Sequence, residues 1–306
     1  MERLTVQDRW KVWQGFVLQI VVITLVLVAG SAMEFYLGMK GLMTTELMLL
    51  AVAVVTALIH RTSLREVFPI RKITVLEFLG LLCFFAGGYL MNVLLTGLSM
   101  VFIPSSQGET SYIDAMVGES GPLVSLIAVA VLPAVCEEAV ERGAVMSHFR
   151  SVRREWVVVL VMGIFFGVFH MSPGRFLNTA CMGALLTYIM IRKNNILFPM
   201  ILHFMNNLIS MMPALADASM YTQHNLSSFL LLSFAFPLFL AIGNRLMCPD
   251  AFRRRHLIVA GALSLILLIT GLGGAYLDLR DSSSLRVYSE EIHNDANFFV
   301  NITTEY

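Results

Sequence analysis

Apolar residues in this chain come in long unbroken runs. About nine stretches of roughly spanning length recur, at about 15–34, 45–60, 76–104, 121–148, 155–171, 175–192, 196–213, 226–246 and 257–277. An α-helix rises about 1.5 Å per residue and the hydrocarbon core of a bilayer is about 30 Å thick, so runs of this size suit membrane-crossing helices. Transmembrane β-strands would show alternating polarity instead. The third stretch is long enough to be tilted, or broken at Gly87-Gly88.

Composition sharpens the class. Of the 306 residues, 57% are hydrophobic and only 14% charged, too few to clothe a soluble domain of this size. The expected fold is all-α: a polytopic membrane bundle of about eight to nine transmembrane helices around an intramembrane polar cavity. Residues 1–110 form N-terminal transmembrane helices, 111–216 a central core, and 217–306 further transmembrane helices and a tail. The formal net charge is zero, which gives no reason to expect a nucleic-acid partner. Four cysteines, Cys83, Cys136, Cys181 and Cys248, show no metal-type spacing and read as ordinary small core residues. The N-terminal "MERLTVQDRWKVWQ" is too polar and long for a typical cleaved leader, so the first span is expected to be retained.

Charge then orients the spans. Arg3, Arg9 and Lys11 precede the first; Arg61, Arg65, Arg71 and Lys72 follow the second; Arg150, Arg153 and Arg154 follow the fourth; Arg192 and Lys193 the sixth; Arg245, Arg253, Arg254 and Arg255 the eighth. The intervening segments "SSQGETSYIDAMVGESG" and "ADASMYTQHNLSS" lack Lys and Arg and read as loops. By the positive-inside rule the protein is a multi-pass cell-membrane protein with a cytoplasmic N-terminus and its C-terminal tail outside.

The fourth span breaks the apolar rule. It reads "AVCEEAVERGAV", with Glu137, Glu138, Glu141 and Arg142 inside six residues. A charge at the bilayer centre costs about 3 kcal/mol on insertion scales, so these groups must face protein or a hydrated cavity. Glu138 and Arg142 stand i,i+4 with the acid first, the favourable order for an ion pair. Glu137 and Glu141 form a neighbouring stripe, leaving Glu137 without a cation directly beneath it and fit for base chemistry. The fifth span offers Phe166 and His170 one turn apart, and the seventh offers His203 and Asn207 on one face. Such a set would activate a water and hold an oxyanion. It would equally suit a metal, since His, His and Glu are a common zinc set.

The order E-E-x-x-x-R, F-x-x-x-H, H-x-x-x-N, one motif per membrane helix, resembles the CPBP group, the CAAX protease and bacteriocin-processing family of intramembrane endopeptidases, similar to the type II CAAX prenyl endopeptidase. The resemblance covers roughly residues 120–213, and "FHMSPGRF" and "LFPMILHFMNN" continue as bacterial members do. It implies peptide-bond hydrolysis within the membrane, with residues 111–216 as the catalytic core. Glu137 would be the general base, His170 would position the attacking water, and His203 and Asn207 would stabilise the oxyanion. Glu138 and Arg142 would be structural supports and Phe166 a packing residue beside the site. The implied mechanism needs no cofactor, with a divalent metal such as zinc as the competing version. The implied partner is a membrane-associated peptide or protein substrate in the lipid bilayer.

Each residue also has a plainer reading: an ion-pair knot for Glu137, Glu138 and Arg142, an interfacial histidine for His170, interhelical glue for His203 and Asn207. Glu141 is either an interfacial charge that snorkels to the membrane edge or a modulator of the site. His60, His148, His224, His256 and His293 fall at loops or edges and suggest no function. Gly163 and Gly167 suit close helix approach. "GESG" at 118–121 mimics a rhomboid serine motif without its histidine partner, and no H-E-x-x-H occurs. Two other functions fit the same pattern: a proton-coupled transporter using the carboxylates as a relay, and a catalytically silent immunity or scaffold protein.

Overall fold

The computed structural model describes residues 10–103, 111–215 and 225–303. Among the described residues there are helices and no strand. In chain order they are α1 (Val12–Leu37), α2 (Met39–Ile59), α3 (Val75–Phe102), the short α4 (Ser111–Ser120), α5 (Pro122–Val145), α6 (Glu155–Phe169), α7 (Phe176–Lys193), α8 (Leu197–Leu215), α9 (Leu226–Met247) and α10 (Arg254–Thr303). Six of them, α1, α2, α3, α5, α9 and the Arg254–Arg280 part of α10, are long and apolar enough to cross a membrane. The protein is a multi-pass, all-α membrane bundle. Glu155–Phe169 of α6 and Leu197–Met212 of α8 are apolar but shorter.

Local chemistry sets the boundaries. Thr74 opens α3 with a reciprocal cap, its hydroxyl accepting from the Glu77 backbone N–H while a Glu77 carboxylate oxygen accepts from Thr74 N at 2.9 Å. Asn194 ends α7 in the left-handed conformation, φ 43°. Helices α1 and α2 are divided by Gly38, at φ 55°, and Gly41 lets them close: a Cβ there would lie 2.1 Å from the Met33 carbonyl oxygen.

Several expectations change. The third span is not broken at Gly87-Gly88; α3 runs unbroken, and the two glycines instead admit Leu240 of α9 and Leu185 of α7. The segment read as an outer loop is helical over α4, while 104–110 and 216–224 lie outside the described residues. The backbone continues as helix from α10 to Thr303.

Helix α5 sits at the centre. Over half of its apolar window is enclosed by protein, against a third or less for the other five long helices. Leu49 and Ala53 of α2 pack on Cys136, Ala139 and Val140 of α5; on the far side Leu81, Leu186, Phe198 and Leu202 join α3, α7 and α8. Gly163 and Gly167 of α6 approach Ala180 of α7 as closely as expected: added Cβ atoms would sit 2.8 Å from its carbonyl oxygen and 2.9 Å from its Cβ.

One end of the bundle is tied by charge. Arg192 pairs with Glu155 at 2.8 Å, while Lys193 pairs with Glu77 and donates to the Met247 carbonyl at 3.0 Å. The starts of α3 and α6 and the ends of α7 and α9 therefore meet there. Two of the edge histidines are structural. Trp10 stacks on His60 with centroids 4.1 Å apart and meets His148 edge-on at 4.7 Å. The Trp10 indole N–H donates to Thr62 at 3.0 Å. Burial, seconded by His60, lowers the His148 pKa to about 4 against a weaker opposing hydrogen bond to the Lys11 backbone.

Candidate functional site

The four charges of α5 are all interior: Glu138 and Glu141 are 0% exposed, Arg142 1% and Glu137 7%. Two π-helical stretches, Leu126–Val131 and Ala139–Val145, flank the regular turns of Leu132–Glu138. Such turns widen a helix locally and gather at functional sites.

Glu138 is the hub. Its Oε1 accepts from Arg142 Nη1 at 3.0 Å and from His203 Nδ1 at 2.8 Å. Arg142 also donates Nη2 to the Gly183 carbonyl at 2.9 Å and lays its guanidinium over the Phe166 ring, 4.4 Å from the centroid. Gly183 is required for this: a Cβ would meet Phe166 Cβ at 2.5 Å. One buried cation thus links α5, α6 and α7, and one carboxylate links α5 and α8.

His203 donates Nδ1–H to a carboxylate, so its Nε2 faces the other way, 3.9 Å from Glu137 Oε2. That oxygen is buried without a hydrogen-bond partner. Phe166 bridges the two histidines, its centroid 5.6 Å from His203 and 4.7 Å from His170. His170 ends α6. Its Nδ1 lies 2.8 Å from the Phe166 carbonyl, which can only accept, so Nδ1 carries the proton and Nε2 is the free nitrogen. The next residue, Met171, is left-handed at φ 47° and turns the chain away.

Helix α6 starts at Glu155, and beyond Val145 the chain leaving α5 keeps His148 and Phe149 buried.

Asn207 sits one turn from His203 and faces the start of α5. Its amide donates to the Val129 carbonyl at 3.1 Å, inside the first π stretch, and accepts from Asn206, which accepts from Asn92 of α3. Glu141 does not snorkel: it is buried and accepts from Gln19 of α1 at 2.9 Å. Sequence reasoning passed over two residues beside the motif. Gln19 was one, a lone amide in "VLQIVV". Glu46 was the other, a lone acid in the apolar "ELMLLAVAV". Glu46 is 4% exposed, shares a face of α2 with Leu49 and Ala53, and lies within electrostatic range of Glu137; its Oε2 has no partner. Among the described residues no three His, Cys, Asp or Glu side chains are arranged to hold a metal ion.

The fold and the cluster together define a membrane protein with a carboxylate–imidazole site enclosed by its own helices. Residues 119–209, from the end of α4 into α8, match the family model Type II CAAX prenyl endopeptidase Rce1-like. The CPBP resemblance drawn from the three motifs holds over this segment. No curated protein and no solved structure matches the chain.

Proposed function

We propose that the protein is an intramembrane endopeptidase that hydrolyses a peptide bond in a membrane-associated peptide or protein, with Glu137 as general base. The observation that carries this reading is the gap between Glu137 Oε2 and His203 Nε2. At 3.9 Å it is too long for a hydrogen bond, yet one water about 2.8 Å from each atom closes it. Glu137 takes a proton from that water as it attacks the scissile carbonyl, then returns it to the leaving amine. Glu138 accepts from His203 Nδ1 and so holds the ring with Nε2 toward the reacting carbonyl, where a proton on Nε2 would be donated to the developing oxyanion. His170, with Nδ1–H tied to Phe166, offers Nε2 to orient the water. Asn207 acts as a second oxyanion donor once substrate displaces its contact with Val129. Arg142 and Phe166 are scaffolding.

The family match brings a C-terminal prenylated CAAX peptide into consideration; the bacterial style of the motifs favours a leader peptide or another membrane protein. The alternating basic loops support a cytoplasmic N-terminus. The test is cleavage of a fluorogenic library of membrane-anchored peptides by the purified protein and by Glu137→Gln. Turnover lost in the variant supports the assignment; equal turnover removes it, and ion-coupled flux in proteoliposomes would then favour a transporter.

A further inference from the structure

A second feature lies away from the polar cluster, on the other face of α7. Helices α3, α7, α9 and α10 line an open groove of about 590 Å³. Its walls include Phe236 and Leu240 of α9 and Val259 and Leu263 of α10, all apolar. Its polar residues gather at one end. There Tyr188 donates to Asn244 Oδ1 at 2.7 Å, and Arg255 and His256 line the mouth. This is the charge-tied end of the bundle, close to Lys193 and Met247.

The groove has the depth of one leaflet. From Asn244 back to Phe236, and from Arg255 on to Leu263, each helix advances eight residues, about 12 Å. Half of a hydrocarbon core is about 15 Å. Arg255 gives the mouth a positive charge, and Arg253 and Arg254 adjoin it in sequence. Arg245 is held against the Phe252 ring, but among the described residues no carboxylate pairs with Arg253, Arg254 or Arg255. All three are exposed where headgroups would lie.

From this we infer that the groove binds an anionic phospholipid, with an acyl chain between α9 and α10 and its phosphate on Arg255 and the adjoining arginines. A zwitterionic lipid satisfies the apolar wall but leaves the cationic mouth uncompensated. Basic pockets between helices at a membrane surface take acidic headgroups for this reason. A lipid held there would brace α7, whose Gly183 carries the contact to Arg142, without touching the polar cluster.

The test is native mass spectrometry of the full chain in detergent, titrated with dioleoyl phosphatidylglycerol and, separately, dioleoyl phosphatidylcholine. The expected result is a first phosphatidylglycerol bound about tenfold more tightly than phosphatidylcholine. Arg255→Gln, an exposed change, should weaken that first site about fivefold and leave phosphatidylcholine unaffected. Ala260→Trp, which fills the groove, should remove the site for both lipids. Equal affinity for the two lipids, or phosphatidylglycerol binding unchanged in Arg255→Gln, overturns the inference. So does a dimer abolished by Ala260→Trp, which would make the groove an interface between copies. If Ala260→Trp fails to fold, Arg255→Gln alone decides.

Discussion

His203 and Glu138 stand 65 residues apart in sequence and 2.8 Å apart in space. That hydrogen bond joins α8 to α5, fixes which imidazole nitrogen faces Glu137, and shares its carboxylate with Arg142. The site's geometry and the packing of its helices therefore rest on the same atoms.

This dual role separates two neighbouring glutamates. Glu138→Ala should destabilise the protein by about 3–5 kcal/mol, because it leaves the buried Arg142 without its counter-charge. Glu137→Gln should leave the unfolding temperature almost unchanged while lowering cleavage by 100-fold or more. Thermal unfolding in detergent, read beside turnover, checks both; equal destabilisation by the two changes would make the cluster a plain structural knot.

Gly183 offers a test of the cation's seat. An added methyl would press on Phe166 Cβ at 2.5 Å, beneath the Arg142 guanidinium. Gly183→Ala should cost about 1–3 kcal/mol and reduce turnover, since Phe166 contacts both histidines. Unaltered stability would mean that α6 and α7 shift freely, contrary to their close glycine-mediated contact.

Glu46 should behave in the opposite way. Its buried Oε2 has no hydrogen-bond partner and its nearest charges are also acidic, so the carboxyl is a burden on the fold. Glu46→Met should raise stability by about 1–3 kcal/mol. Denaturation in matched detergent measures it; a fall in stability would show that the carboxyl is held by an interaction the fold depends on.

Acid should loosen the end of the bundle that holds Trp10. The folded state keeps His148 neutral, with its pKa lowered to about 4 by burial first and His60 second. The unfolded chain takes up that proton near pH 6.5. Stability from this group is therefore full above about pH 6.5 and is lost as pH falls toward about 4. Tryptophan fluorescence melts over that range should show the loss, and His148→Phe should flatten it. A wild-type profile already flat would refute the assignment.

Turnover should survive metal removal. Dialysis against EDTA or 1,10-phenanthroline is expected to change the rate by less than about twofold, because the proposed base, water-orienting and oxyanion groups are all side chains of the chain. Loss of activity restored by zinc would replace the glutamate mechanism with a metal-bound one.

Much of this protein was written in local pattern. Long apolar runs determine membrane helices wherever they occur, because unpaired backbone groups are intolerable in hydrocarbon, so the all-α membrane bundle and its six long helices were legible in sequence, while three of the nine expected spans are shorter or less apolar helices. The i,i+4 spacing of Glu138 and Arg142 was equally readable, being a property of one helix. Other relationships were decided only by tertiary packing. The sequence offered no reason why Glu138 should take His203, why Arg142 should lie on Phe166, or why Asn207 should turn to Val129. Nor did it pair Gln19 with Glu141, or bring Glu46 up to Glu137 across the α2–α5 interface. Hydropathy says that a polar side chain in a membrane must face protein, but not which helix it faces. That choice depends on where small residues such as Gly41, Gly163 and Gly183 let helices approach, a property of pairs of surfaces and not of any single stretch of chain.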